Sequence, residues 1–373
     1  MAKAKTRRVA AAAAVLCAAL ATVSAAAFRG HGDPCASHHY LFGSRESREN
    51  MAALLSLLDA PGSSPEENFA VVREISNAFF REGEYGRLDH FLGGRVAARP
   101  DDPFNSHHLL MLAYAHARRG SDAIAARYFE LILKNYPDLA VNGASIHLAC
   151  LLRLAEMESD PERQAWLYLE MIERFPGDID VMAAWFRLAV AREGAGDWDG
   201  AMRAYANFLA ERQVRIDTER EANPQAIPNP QVPGIPNAER RAQRLVNLQN
   251  SSRNWTFATL PALTAAVRQA LDNNSAAQLR GMKSGAEFFT RSWGQEASAN
   301  LVPFNIGNFM WGTRIRHADR FHERSTADEV FLRTWGWQQS VSVWYFHFRR
   351  IHFPADPSVH GRWEWAGIYF GES

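Results

Sequence analysis

A chain of 373 residues that is 47% hydrophobic and 22% charged has the apolar content for a sizeable core and the length for two or more domains. Its 41 basic and 41 acidic side chains cancel, which excludes the strongly basic footprint of a nucleic-acid-binding protein. Three cysteines exclude a disulfide-built fold.

At the N-terminus Lys3, Lys5, Arg7 and Arg8 precede an uncharged, Ala-rich run from Val9 to Phe28, with small residues at Ser24 to Ala27. This is the pattern of a cleaved secretory signal over residues 1–27. An uncleaved membrane anchor is a second reading, since about 20 uncharged residues just span a bilayer, and a mitochondrial-type transit peptide is a third, since no acid precedes Asp33. The run is only weakly apolar, which disfavours the anchor, and it is not amphipathic, which disfavours the transit peptide. The bulky Leu16 before Cys17 argues against lipidation. Cleavage removes four basic and no acidic side chains, leaving a mildly acidic mature chain with Cys35 and Cys150. The expected destination is the periplasm or cell envelope of a bacterium, and a membrane partner is expected only if the signal stays uncleaved.

Residues 28–44 read as a flexible mature N-terminus. His31, Asp33, Cys35, His38 and His39 gather potential metal ligands there, but with no recognised ligand spacing and no folded frame to fix a tetrahedral set. No metal and no cofactor is expected. Residues 45–60 read as a packing helix, with Met51, Leu54, Leu55 and Leu58 at helical spacing and Pro61-Gly62 ending it.

Four units of about 34 residues follow over 69–212. The unit 69–102 carries Val72, Ile75, Phe79, Gly83, Tyr85, Leu92 and Pro100, with Leu88 where a small residue is expected. In 106–139, Leu109, Leu112, Ala113, Gly120, Ala125, Phe129 and Pro137 fill every slot, and the spacing from Gly120 to Pro137 repeats that from Gly83 to Pro100. The unit 145–178 keeps Leu148, Leu151, Tyr168, Met171 and Pro176 but has Ser159 at the glycine slot and Gln164 at the small slot. The unit 182–212 has Trp185 and Leu188 on a first helix, Gly196 at the turn, and Trp198, Ala201 and Tyr205 on a second, with no closing proline. These slots resemble the tetratricopeptide repeat family. That resemblance implies paired helices stacked into a superhelix with a concave groove, and a scaffold that holds another protein or a peptide. Lacking a proline, the last helix is expected to run on and to form the face on which the following segment or the C-terminal domain packs, through Trp198 and Phe208.

Prolines at 224, 228, 230, 233 and 236 mark residues 213–253 as a Pro-rich linker. Its Ile227, Val232 and Ile235 are spaced to dock into a groove, and a short helix is expected at 238–248. Residues 254–373 hold eight of the eleven tryptophans and read as a separate α+β domain. One helix is expected over 260–282, then strands at 329–338, 341–353 and 362–370, with a turn at Gln338-Gln339-Ser340, forming an antiparallel meander. The order of elements weakly resembles the cone-shaped domains of the nuclear transport factor kind, although no motif supports it.

On the middle strand a period of two places Val341, Val343, Tyr345, His347, Arg349 and Ile351 on one face. Trp344, Phe346, Phe348, Arg350 and His352 fall on the other, so His347 and His352 are not set to share a metal. On the last strand Trp363, Trp365 and Tyr369 share a face and Glu364 lies opposite. Trp335, Trp344, Trp363, Trp365 and Tyr369 are the candidate ligand or interface aromatics, while a sheet with aromatics on both faces is more often covered on both. His317, Asp319, His322 and Glu323 form a mixed-sign polar stretch. No catalytic residue is assigned, since no phosphate loop, no serine-histidine-aspartate order and no zinc-protease motif occurs.

The chain therefore reads as mostly α, an α-α superhelical solenoid followed by a small α+β domain with an antiparallel sheet. The expected function is an exported, non-enzymatic scaffold or adaptor for a protein or peptide. The alternative is a ligand-binding or enzymatic C-terminal domain mounted on the repeats.

Overall fold

The computed structural model describes residues 45–58, 61–294, 305–310, 314–338 and 341–372, with backbone alone for 45–48. The signal segment 1–27, Cys17, the stretch 28–44 with its histidines and Cys35, Trp311, and Gln339 and Ser340 lie outside the described residues. The chain divides into two compact units, residues 1–184 and 185–373. The division falls inside the fourth repeat and not at the Pro-rich segment.

Unit one begins with α1 (Arg45–Leu57) and continues as helical hairpins. These are α2 (Pro65–Arg81) with α3 (Tyr85–Ala98), α4 (Asn105–Arg118) with α5 (Asp122–Asn135), and α6 (Ile146–Met157) with α7 (Pro161–Arg174). The fourth hairpin, α8 (Val181–Gly194) with α9 (Trp198–Ala222), starts in unit one and lies mostly in unit two. Ser64 caps α2 in a capping box with Glu67, and Pro65 occupies the first turn, where a missing N–H does no harm.

Proline sets the length of every second helix. Each stops two residues before one: α3 at Ala98 before Pro100, α5 at Asn135 before Pro137, α7 at Arg174 before Pro176. The intervening Arg99, Tyr136 and Phe175 leave the helical region, as a residue before proline must when its backbone clashes with the ring. In the fourth hairpin the next proline is Pro224, and α9 accordingly runs 25 residues to Ala222, against 14 for each of the others. The expected 213–253 linker is thus helical at both ends, because its first ten residues contain nothing that stops a helix.

Gly120 at a hairpin turn has φ +73°, a left-handed conformation that costs any residue with a Cβ about 1 kcal/mol or more. At Ser159 no such conformation exists. Glu158 goes extended (φ −77°, ψ 131°) and Asp160 caps α7, so that turn needs no glycine.

The core of unit one follows the repeat slots, with Leu88, Leu92, Ala125 and Phe129 fully buried. The third unit departs from them: Leu167 and Met171 face inward while Tyr168 is half-buried, so α7 presents the neighbouring stripe. In the fourth, Leu188, Ala201 and Tyr205 are fully buried, but the buried aromatic of α8 is Phe186, set edge-on to Tyr205 and Phe208 at 5.5 and 5.2 Å. Trp185 is half-buried. Between the second and third hairpins a two-residue ladder, β1 (Ala140–Val141) and β2 (Ala144–Ser145), turns through Asn142-Gly143, both at positive φ, the pair that fits a right-twisted hairpin.

In unit two, α10 (Ala238–Asn250) packs against α9, where Arg212 meets Glu239 at 3.1 Å and Asn229 at 2.9 Å. Val232 is buried and Ile227 is almost fully exposed. The helix expected over 260–282 is two, α11 (Leu260–Asp272) and α12 (Ala276–Met282), because Asn274 turns left-handed at φ 50° between them. The sheet has five strands in the order β3 (Phe289–Ser292), β7 (Trp363–Phe370), β6 (Val343–Arg350), β5 (Glu329–Trp335), β4 (Arg316–His317). The expected meander is its antiparallel centre, and β3 adds in parallel beside β7. Trp198 lies edge-on to Phe353, just past β6, at 6.4 Å.

Candidate functional site

One residue decides which side chains meet on the sheet. His347 pairs with Gly367 and Phe348 with Trp365, so Ala366 bulges out of β7 unpaired. The bulge shifts the alternation of β7: Trp365, Ile368 and Phe370 lie on one face, Glu364 and Tyr369 on the other. This corrects the expectation that Tyr369 sits with the tryptophans and Glu364 opposite it. Gly367 lets β3 approach, since a Cβ there would meet the Phe289 carbonyl oxygen at 2.6 Å.

The first face is core. Trp344, Phe346, Phe348 and Trp365 bury completely against α11 and α12, and Trp337 stacks on Trp344 at 4.0 Å. Their indole N–H groups are satisfied, Trp344 donating to the Val341 carbonyl at 2.8 Å and Trp365 to that of Gly367 at 2.9 Å. Of the five candidate aromatics, Trp344 and Trp365 are therefore core. Trp335 and Trp363 are half-buried, Trp335 beneath the Arg333 guanidinium at 5.3 Å.

Tyr369 is on the second face, which is polar at its centre. The Glu364 carboxylate is fully buried, and it accepts from Ser284 Oγ at 2.6 Å and Arg349 Nε at 2.9 Å, with Arg244 Nη2 at 3.5 Å. Arg349 also reaches Glu287 at 3.5 Å, Arg240 pairs with Glu287, and Arg241 pairs with Glu193. A buried carboxylate is tolerable only when its lone pairs are filled in this way. Arg240 and Arg244 come from successive turns of α10, so an i, i+4 pair on one helix face supplies both.

Arg240, Arg241, Arg244 and Arg349 with Glu193 and Glu287 wall an open cleft of about 570 Å³ that also includes Phe289, Arg291, His347 and Tyr369. The Arg291 guanidinium lies 4.6 Å from the Phe289 ring centroid and 4.8 Å from that of Tyr369, whose hydroxyl it meets. The Arg240 guanidinium lies 5.8 Å from the same Phe289 ring. His347 stacks on Phe331 at 4.9 Å, and neither of its ring nitrogens is hydrogen-bonded; the nearest carboxylate oxygen, of Glu329, is 3.8 Å from Nε2. Burial pushes its pKa below the usual histidine value. Trp293 stacks on Tyr369 at 4.3 Å beside His322. His322 also lies edge-on to Tyr345 at 5.1 Å, while His317 faces Asp272 at 3.4 Å, so the polar stretch 314–324 does not act as one cluster.

Unit one holds a contrasting polar cluster. At the start of α4, His107 and His108 are buried, with Phe69 stacked on Phe104 at 4.2 Å and edge-on to His107 at 5.0 Å. Burial lowers His107 to about 3 and His108 to about 4, so both rings are neutral. His108 Nδ1 meets Asn105 Oδ1 at 3.3 Å, and the Asn105 amide is held by the Arg99 and Pro100 carbonyls. These rings serve packing between the first two hairpins. Cys150 is a buried free thiol whose pKa burial raises. Among the described residues no three histidine, cysteine or acidic side chains gather as a metal site.

Residues 109–139 and 183–212 match the family model of the tetratricopeptide repeat. They are the second and fourth hairpins. Comparison with curated proteins returned no match to the chain. The two matching tetratricopeptide repeats are those whose glycine, small and aromatic slots are all filled as the family fills them, at Gly120, Ala125 and Phe129 and at Gly196, Ala201 and Tyr205. The hairpins at 69–102 and 145–178 share the architecture while Leu88, Ser159 and Gln164 depart from the slots. Proteins built on the tetratricopeptide repeat are typically interaction scaffolds and not enzymes.

Sequence reasoning did not assemble the arginine cleft. Arg240 and Arg244 were legible as a helical pair, and His347 and Arg349 as neighbours on one strand face. Glu364 is expected opposite Trp363 and Trp365, as it is, whereas Tyr369 beyond the bulge is expected on the wrong face, since nothing in an alternating pattern announces a bulge.

Proposed function

We propose that this protein is an exported scaffold, acting in the periplasm or cell envelope of a bacterium, that holds a protein or peptide partner through its tandem repeats. The observation that carries this reading is the series of helical hairpins, two of which match the tetratricopeptide repeat family. Their outer surfaces support it. Ile124 and Leu131 on α5, Leu152 on α6 and Trp166 on α7 are large apolar side chains left 37–49% exposed; Ile124 and Leu131 line one surface hollow with Tyr128, and exposed apolar patches mark binding surfaces. Export rests on the basic start and Ala-rich run of residues 1–27, and an uncleaved signal would add membrane attachment.

The test is a cross-linked capture with the full mature chain against the same chain carrying Leu131→Ser and Trp166→Ser. Specific capture that fails in the double variant supports the scaffold, and equal capture by both sinks the surface named here. N-terminal sequencing of the cell-envelope form checks export, with Phe28 expected first. The cleft in unit two favours a second role, ligand binding by the α+β unit.

A further inference from the structure

The cleft in unit two is richer in cations than in anions. Arg240, Arg241, Arg244 and Arg349 each meet a carboxylate, of Glu287, Glu193 or Glu364. Arg291 does not. Its polar partner is the Tyr369 hydroxyl, its Nε is buried without a partner, and among the described residues it pairs with no carboxylate. A guanidinium carries five donors in a fixed fork, so most of its hydrogen-bonding capacity faces the cleft unfilled. His347 lies against the Phe289 ring at 5.5 Å, only 4% exposed, with neither nitrogen hydrogen-bonded and the Glu329 carboxylate 3.8 Å from Nε2. A buried polar group left in that state costs stability that a ligand's hydrogen bond recovers. An arginine lacking a counter-charge, a second guanidinium within 5.8 Å of the same Phe289 ring, and a buried imidazole with unbonded nitrogens line one cleft.

Resting on the ligand-binding reading of unit two, we infer that the cleft takes a small oxyanion, a carboxylate or a phosphate, held by Arg291 and Arg240 above Phe289 with its body against His347. The fork geometry of arginine matches both oxyanions. The volume of about 570 Å³ suits a small molecule, since such sites span roughly 300–1,000 Å³. A charge-assisted hydrogen bond in a partly desolvated site is stronger than the water contacts it replaces, whereas the same anion on a surface arginine gains almost nothing.

The experiment is calorimetric titration of the full mature protein with sodium acetate, inorganic phosphate, the neutral isostere acetamide, and sodium chloride at matched ionic strength. Acetate or phosphate is expected to bind saturably in the millimolar range or tighter, acetamide and chloride not at all, and the favoured oxyanion identifies the ligand class. Arg291→Gln is expected to weaken binding roughly tenfold or more, and Arg291→Lys, which keeps the charge but loses the fork, by a smaller factor. Melting of each variant without probe shows that it is folded, and if Arg291→Gln does not fold, Arg291→Lys decides. Oxyanion binding that both variants leave unchanged overturns the assignment of Arg291. Binding of acetamide as tight as acetate overturns the anion preference while leaving unit two a ligand-binding unit. No saturable binding of any probe overturns both.

Discussion

The two units bury polar side chains by opposite means. Unit one keeps His107 and His108 neutral, clamped by Phe69 and Phe104, and surrounds them with the apolar slots of the repeats. Unit two surrounds the Glu364 carboxylate with donors from Arg349, Arg244 and Ser284, the two arginines also lining an open cleft. The neutral solution fills space within the helix packing, although His107 Nδ1 and His108 Nε2 are left without hydrogen-bond partners there too. The ionic one leaves donors over at Arg291 and His347 and so has chemistry to offer. Unfilled hydrogen-bonding capacity occurs in both units, and in unit two Arg291 and His347 carry it on the wall of the cleft.

The largest expected effect tests the ionic side. Glu364→Ala strands two arginine charges beside a buried position and is expected to destabilise unit two by about 3–5 kcal/mol in denaturant unfolding. A loss below about 1 kcal/mol would mean the network is solvated and the contrast is false. In unit one, where apolar slots carry the fold, Leu167→Ala is expected to cost roughly 2–5 kcal/mol and Tyr168→Ala clearly less, the reverse of what the repeat slots alone dictate. Equal losses would place both side chains in the core.

Acid probes the neutral side. His107 and His108 have folded pKa values of about 3 and 4 against 6.5 when free, so the unfolded chain binds protons that the folded one refuses. Stability is whole above about pH 6.5 and falls as pH drops toward 4 and 3, by on the order of 5 kcal/mol for His107 and on the order of 3 kcal/mol for His108. His347 is shifted in the same direction and adds to the slope in unit two. Replacing His107 by Phe and His108 by Gln is expected to flatten the pH dependence of urea unfolding of unit one, and an unchanged slope would show that the acid response lies elsewhere. The smallest effect concerns turns. Gly120→Ala is expected to cost about 1–2 kcal/mol for its left-handed backbone, while Ser159→Gly gains no stability because that turn is extended. Thermal melting of the two variants side by side reads the difference.

Much of unit one was legible because its punctuation is chemical. Proline cannot continue a helix and glycine alone enters a left-handed turn freely, so Pro100, Pro137 and Pro176 announced the ends of α3, α5 and α7, and the missing proline announced the length of α9. What escaped was rotation: the apolar stripe of α7 reads almost equally well through Leu167 or Tyr168, and packing chose the former. In unit two the apolar period carried on through Asn273-Asn274-Ser275 and hid the break between α11 and α12, although asparagine tolerates left-handed backbone and such a cluster is a turn signal. The cleft was the least legible part, because its members come from α10, β3, β6 and β7 and only the paired strands bring them together.

Ala366 is the residue that β6 skips, so the pairing on either side of it is that of a regular strand one residue shorter. Glu364 and Tyr369 stand five positions apart, an odd separation, where two side chains on one face of a regular strand stand an even number apart, and the skipped residue makes up the difference. Deleting Ala366 would therefore remove the bulge and keep both side chains on the cleft face, whereas adding a residue beside it would have to be bulged out as well or would exchange the sides. The segment from Glu364 to Tyr369 should tolerate the loss of that one residue and resist the gain of another.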